Sequence, residues 1–269
     1  MSNGRLLHFG LIFLAIPCLG FTQPLSYSIP LSEAITGGFS PSGQIWVASS
    51  HEIMTYRRDT LYARNSLLSY GPLHSADFSN PLKILLFYKA SGQIVYLDNT
   101  ATLLTQPIDL NGLGLEQTTA ACLSYDNGLW LFTTDQLRLQ RLDAGLNVQV
   151  DVPQADRVAG MPGFQPHQMV EAHNRLWLLD TKMGLVVYDV FGGWIFSWHF
   201  PGLEKIAIIQ EGIVAWQENG QMWIFKKEGR APDKSSFESP CAKPLAIGVN
   251  GALCPVAQEV IFHPGKGLR

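Results

Sequence analysis

Asp126-Asn127-Gly128-Leu129-Trp130-Leu131-Phe132 and His173-Asn174-Arg175-Leu176-Trp177-Leu178-Leu179-Asp180 echo one another, their tryptophans 47 residues apart. Each is followed by a short polar turn and a second apolar strand, Leu137-Arg138-Leu139 after the first and Leu185-Val186-Val187-Tyr188-Asp189 after the second. Branched and aromatic residues of this kind suit a pleated, half-buried surface. Gly beside Asn, Asp or Ser in the turns lets the backbone take positive φ where a hairpin reverses.

The same unit recurs outward in both directions. Ser42-Gly43-Gln44-Ile45-Trp46-Val47-Ala48 returns through Ile53-Met54-Thr55-Tyr56, and Pro81 to Tyr88 returns through Gln93 to Asp98. Glu211 to Trp216 returns as Gln221-Met222-Trp223-Ile224-Phe225. With Trp46, Leu86, Trp130, Trp177 and Val214 as anchors the spacings are 40, 44, 47 and 37, a mean of 42. A period near 40 residues marks repeated supersecondary units and fits a four-stranded propeller blade. A sandwich would turn every 8–12 residues without the longer repeat. The expected fold is therefore all-β, a β-propeller of about five four-stranded blades, with six allowed. Leu25 to Ile29 and Glu259 to Phe262 are strands able to close the ring and remove an exposed edge.

At the N-terminus Arg5 precedes a mostly apolar run, Leu6 to Gly20, and then Phe21-Thr22-Gln23-Pro24. This reads as a secretory signal over residues 1–22, with the propeller over 23–230 and a tail over 231–269 that completes the last blade or lies on the surface. Cys18 raises the alternative of a lipid anchor, but Pro17 stands where processing wants a small residue. No second apolar run of about 18 residues follows, so no transmembrane segment is expected after signal removal. The expected location is the periplasm or the periplasmic face of the outer membrane, with the cell surface as the lesser alternative.

Composition excludes some partners. The chain is 15% charged and 46% hydrophobic, and its 19 Lys and Arg against 22 Asp and Glu are scattered. A disordered segment or a nucleic-acid partner is not expected from such a balance.

Motifs for common chemistry do not occur: no Gly-x-Gly-x-x-Gly, phosphate loop, Gly-x-Ser-x-Gly or His-Glu-x-x-His is present. Asp98, Asp135, Asp180 and Asp189 are the carboxylates a propeller hydrolase would want in its channel, yet each sits in a turn context. His51, His74, His167, His173 and His199 read as scattered histidines rather than a metal set. No catalytic residue, metal or cofactor is expected, and an enzyme is the less favoured reading. Trp46, Trp130, Trp177 and Trp216 recur at one strand position, as packing between blades requires.

Cys122 reads as a buried free thiol in Ala120-Ala121-Cys122-Leu123. Cys241 and Cys254 are a candidate disulfide that an oxidising compartment would permit. Phe191, Trp194, Phe196, Trp198 and Phe200 place five aromatics in ten residues, more than one half-buried strand needs. They are the candidate interface.

Asn80 to Tyr88, Ile94 to Asn99, Asn127-Gly128-Leu129-Trp130 and Tyr188 to Gly192 resemble a family of exported, propeller-like proteins of Bacteroidota, over roughly residues 25–230. The resemblance implies a propeller and a cell-envelope location and transfers no functional residue. It also implies a lineage that uses type IX secretion. The function expected is a non-catalytic scaffold that binds another envelope protein or complex, as an accessory of that outer-membrane machinery. Alternatives are a carbohydrate or small-ligand binding propeller and a propeller hydrolase.

Overall fold

The computed structural model describes residues 26–31, 33–40, 42–66, 68–235, 239–248 and 251–264. The expected signal over 1–22 and Cys18 lie outside them. Six four-stranded antiparallel sheets form the fold, each a blade whose first strand lies innermost. Blade 1 holds Thr36–Phe39, Ile45–Ala48, Glu52–Arg57 and Thr60–Ser66; blade 2 holds Ser75–Asp77, Ile84–Tyr88, Gln93–Leu97 and Ile108–Asp109. Blade 3 holds Thr118–Leu123, Leu129–Thr133, Arg138–Leu142 and Val148–Val152; blade 4 holds Gln168–Ala172, Arg175–Asp180, Gly184–Asp189 and Trp194–His199. Blade 5 runs Leu203–Ile209, Gly212–Gln217, Met222–Lys226 and Asp233–Lys234.

The sixth blade draws on both ends of the chain. Ala246–Gly248, Gly251–Val256 and Glu259–Pro264 supply three strands, and Tyr27–Pro30 pairs with Glu259–Pro264 as the fourth. The ring thus has six blades, the larger count that the repeat allows. A tally of hairpins stops at five because no single stretch spells the last blade.

Six apolar cores fill the gaps between blades. Alternation along each strand divides its residues between two of them. Ile45 and Val47 pack toward blade 6, while Trp46 and Ala48 pack toward blade 2. A strand buried on both faces reads as a continuous apolar run, which is why these segments lack polar alternation. Trp46, Trp130 and Trp177 are 0% exposed and Trp216 is 3% exposed, each in the core between its own blade and the next. Leu86 is not their equivalent. It faces back to blade 1 with Trp46, and its neighbours Leu85 and Phe87 face blade 3. Gly38 marks the closest approach between blades 1 and 2, since a Cβ there would run into the Phe78 ring that stacks on Trp46 at 5.8 Å.

Polar side chains clip neighbouring blades together. Glu171 of blade 4 accepts from Trp130 Nε1 at 2.7 Å and from the Tyr125 N–H at 2.9 Å. Gln168 donates to Ile206 O and accepts from Ile206 N, standing in for a strand partner between blades 4 and 5. Buried Asp77 of blade 2 accepts from the N–H groups of Ser79 and of Leu123 in blade 3, both at 2.8 Å. Replacing Asp77 with Ala leaves those donors unpaired and costs about 1–3 kcal/mol.

Burial is the main influence on the Asp77 carboxyl and lifts its pKa, opposed by the bonds from Ser79 and Leu123. As pH falls, the folded protein therefore takes up this proton before the unfolded chain does. The resulting stabilisation is complete below the unfolded pKa, about 3.9, and is lost as pH rises through the folded value. Chemical denaturation should show a wider gap between wild type and Asp77→Ala at pH 4 than at pH 7.

Cys241 and Cys254 are bonded, with Cα atoms 6.0 Å apart, tying the segment before blade 6 to that blade's second strand. Cys122 is buried and its thiol is pushed well up by desolvation, the opposite of a reactive thiolate. Among the described residues no helix is long and apolar enough to cross a membrane.

Candidate functional site

Because every blade begins with its innermost strand, the six inner strands run the same way along the axis. Residues at their starts therefore gather at one end of the channel and residues at their finishes at the other. His74, His167, Glu204, Lys205 and Leu245 lie at the starting end, while Ser79, His173, Gln210 and Gly248 lie at the finishing end. Between them is a cavity of about 530 Å³, within the range of small-ligand sites. Its walls are mostly apolar, from Phe39, Phe78, Met169, Val170 and Ile208.

Of the five histidines named from the sequence, His74, His167 and His173 line this channel, and the last two bond the neighbouring blade. His74, just before the inner strand of blade 2, meets the Phe87 ring edge-on with centroids 5.5 Å apart. His167, just before the inner strand of blade 4, reaches the carbonyl of Glu204, second residue of the inner strand of blade 5, at 2.9 Å. A carbonyl only accepts, so His167 Nε2 carries a proton, and Nδ1 lies within hydrogen-bond reach of Thr181 Oγ1 at 3.3 Å. His173 Nε2 donates to Ile209 O at 2.7 Å at the far end. His51 and His199 are exposed elsewhere. Desolvation holds His74 below the ordinary imidazole value, with the charge of Lys89 adding to it.

The four aspartates are in turns. Asp98 Oδ1 accepts from the N–H groups of Thr100 and Thr102, and Asp189 Oδ1 accepts from those of Phe191 and Gly193. Asp180 accepts from Lys182 N and Gln165 N, and Asp135 is exposed beside Thr134. None of the four lines the channel cavity. Among the described residues no three His, Cys, Asp or Glu side chains gather as a metal would need.

Lys205 is the residue that sequence reasoning passed over. It sits in Leu203-Glu204-Lys205-Ile206-Ala207-Ile208-Ile209, and a charge pair inside an otherwise apolar inner strand was the available signal. A register shift between Leu203 and Lys205 leaves Glu204 as an extra residue, and Lys205 reaches across the sixth blade to Ile35 O of blade 1 at 3.3 Å.

The aromatic run Phe191 to Phe200 forms the turn and outer strand of blade 4 and divides in two. Phe196, Trp198 and Phe200 are half-buried against blade 5. Trp198 stacks on Trp177 at 6.3 Å and meets Phe225 at 5.0 Å, while Phe200 meets Trp223 at 4.9 Å. Phe191 and Trp194 instead remain 74% and 48% exposed. Gly192 sits against Val150 and Val152 of blade 3, and Trp194 Nε1 donates to Ser197 Oγ, which donates to Ala159 O. Val148, on the outer strand of blade 3, and Val158, in the connection from blade 3 to blade 4, are exposed as well.

No family model matches the chain, and no curated protein matches it. Solved propellers do. A streptogramin B lyase aligns with a TM-score of 0.60 at 12% identity, over 82% of this chain and 75% of that one. PorZ of Porphyromonas gingivalis, described as an essential surface component of the type-IX secretion system, aligns at 0.52 and 14% identity over 85% of this chain and 31% of its own. The extracellular domain of a hybrid two-component system of B. thetaiotaomicron aligns at 0.52 and 12%, over 83% of this chain and 32% of that one. At such identities the likeness is one of fold.

Proposed function

We propose that the protein is an exported, non-catalytic propeller that docks onto another cell-envelope protein, as an accessory of the outer-membrane type IX secretion machinery. The observation that carries this reading is the outer edge of blade 4, where Phe191 and Trp194 stay exposed while the three aromatics after them are packed. Large exposed aromatics rimmed by apolar neighbours are what a protein interface uses as anchors. The apolar run read from the sequence as a signal over residues 1–22, the disulfide and the likeness in fold to a PorZ propeller support the envelope setting. A sugar platform is less favoured, because Trp46, Trp130, Trp177 and Trp216 are buried between blades. A hydrolase is less favoured because Asp98, Asp180 and Asp189 spend their oxygens on turns.

Crosslinking and affinity capture of the tagged protein from its native envelope tests the proposal. Outer-membrane secretion components should be recovered with the wild type and lost with a Phe191→Ala, Trp194→Ala double variant. Equal recovery with both proteins would remove blade 4 as the docking edge, and recovery of nothing above a control would remove the scaffold reading.

A further inference from the structure

We propose that the starting end of the channel binds a small amphiphile, an apolar body bearing one carboxylate, with Lys205 as the residue that holds the carboxylate. This rests on the channel alone and is independent of docking at blade 4. An ammonium has three N–H donors. Among the described residues Lys205 gives one of them to Ile35 O, at the long distance of 3.3 Å, and none of the ion pairs includes it. Two donors of a part-buried cation are thus left facing a cavity whose walls are mainly apolar.

The neighbouring groups narrow the ligand. His167 has both ring nitrogens engaged, by Glu204 O and Thr181 Oγ1, and desolvation holds His74 below the ordinary imidazole value, so among the described residues lining the cavity Lys205 is the cation left to hold an anion. Asp77 lines the cavity too, but its oxygens are taken by Ser79 and Leu123. Glu204 is felt by Lys205 and also by exposed Lys243, and among the described residues it forms an ion pair with neither. One cation in an apolar chamber matches one carboxylate on an apolar body, and a charge-assisted bond there is stronger than a neutral one. Burial draws the Lys205 pKa below the ordinary lysine value, with Glu204 opposing, so the empty site carries a desolvation cost that a bound carboxylate offsets.

Titration calorimetry of the full chain with octanoate and with octanol separates the parts of this proposal. Octanoate should bind one-to-one and about tenfold or more tighter than octanol. Lys205→Met should bring the two ligands to similar affinity while leaving octanol unchanged, and should melt at or above the wild-type temperature because a buried charge has gone. Lys205→Arg should keep the preference for octanoate. The proposal is overturned if wild type binds octanoate no better than octanol, if it binds neither, or if Lys205→Met keeps the preference. The comparison of ligands on wild type decides the matter even where a variant folds poorly.

Discussion

Replacing Ile29 with Asp should open the ring. Ile29 is 0% exposed, pairs with Val260 across the closing strands, and lies in the core between blades 6 and 1 with Val47, Leu253 and Val260. The substitution removes a branched apolar side chain from a packed site and puts an unpaired carboxylate in its place. Together these cost about 5 kcal/mol or more, comparable with the whole stability of many domains. Loss of Tyr27–Pro30 from the sheet would also bare the edge of Glu259–Pro264, which pairs with nothing else on that side. A bare edge recruits other chains. Denaturant unfolding should show a midpoint shifted far down or a lost transition, and size exclusion should show higher-order species. Ile29→Val keeps shape and apolarity, costs about 0.5–1.5 kcal/mol, and should elute with the wild type. An Ile29→Asp protein that melts and elutes as wild type would mean that the ring closes without this strand.

The repeat was legible because packing between blades is written as a local pattern. A strand buried on both faces must be apolar along its length, and a tryptophan at its centre fills the wide part of the wedge between two blades. Trp46, Trp130 and Trp177 therefore announce three blades outright. Blade 2 has no such tryptophan, and Leu86 served as its anchor although it faces the preceding blade. A period-two strand reverses face with a slip of one residue, and composition alone cannot fix that phase. Closure was harder still. Both closing strands read locally as strands, but residues 27–30 and 259–264 meet only in three dimensions, so the four strands of the sixth blade never stand in one stretch.

The site was less legible than the fold for a physical reason. Asp98 and Asp189 betray their turns through residues two and four places on, a local arrangement that spacing exposes. His167 makes its bond to the next blade, 37 residues away. Lys205 reaches 170 residues to Ile35. Their roles follow from the ring bringing strand starts to one end, which nothing in their own neighbourhoods states.

The aromatic run of blade 4 provides the sharpest contrast, and its two tryptophan positions predict opposite outcomes. Trp177 is fully buried, with Phe196 at 6.1 Å and Trp198 at 6.3 Å around it, so Trp177→Ala leaves a large cavity between blades 4 and 5. Large aromatic deletions of this kind cost about 3–5 kcal/mol. Trp194 lies on the outer strand of the same blade with half its surface in solvent and one bond to Ser197. Its replacement by Ala should cost no more than about 1 kcal/mol in stability while abolishing capture of the envelope partner. Trp177→Ala, where it still folds, should retain that capture, because Trp177 is buried and is not part of the exposed surface that Phe191 and Trp194 present. Thermal melts and capture on the same two variants therefore separate packing from recognition. If Trp194→Ala destabilises the protein as much as Trp177→Ala does, the exposed edge is part of the core in solution and the docking surface must be sought elsewhere on the ring.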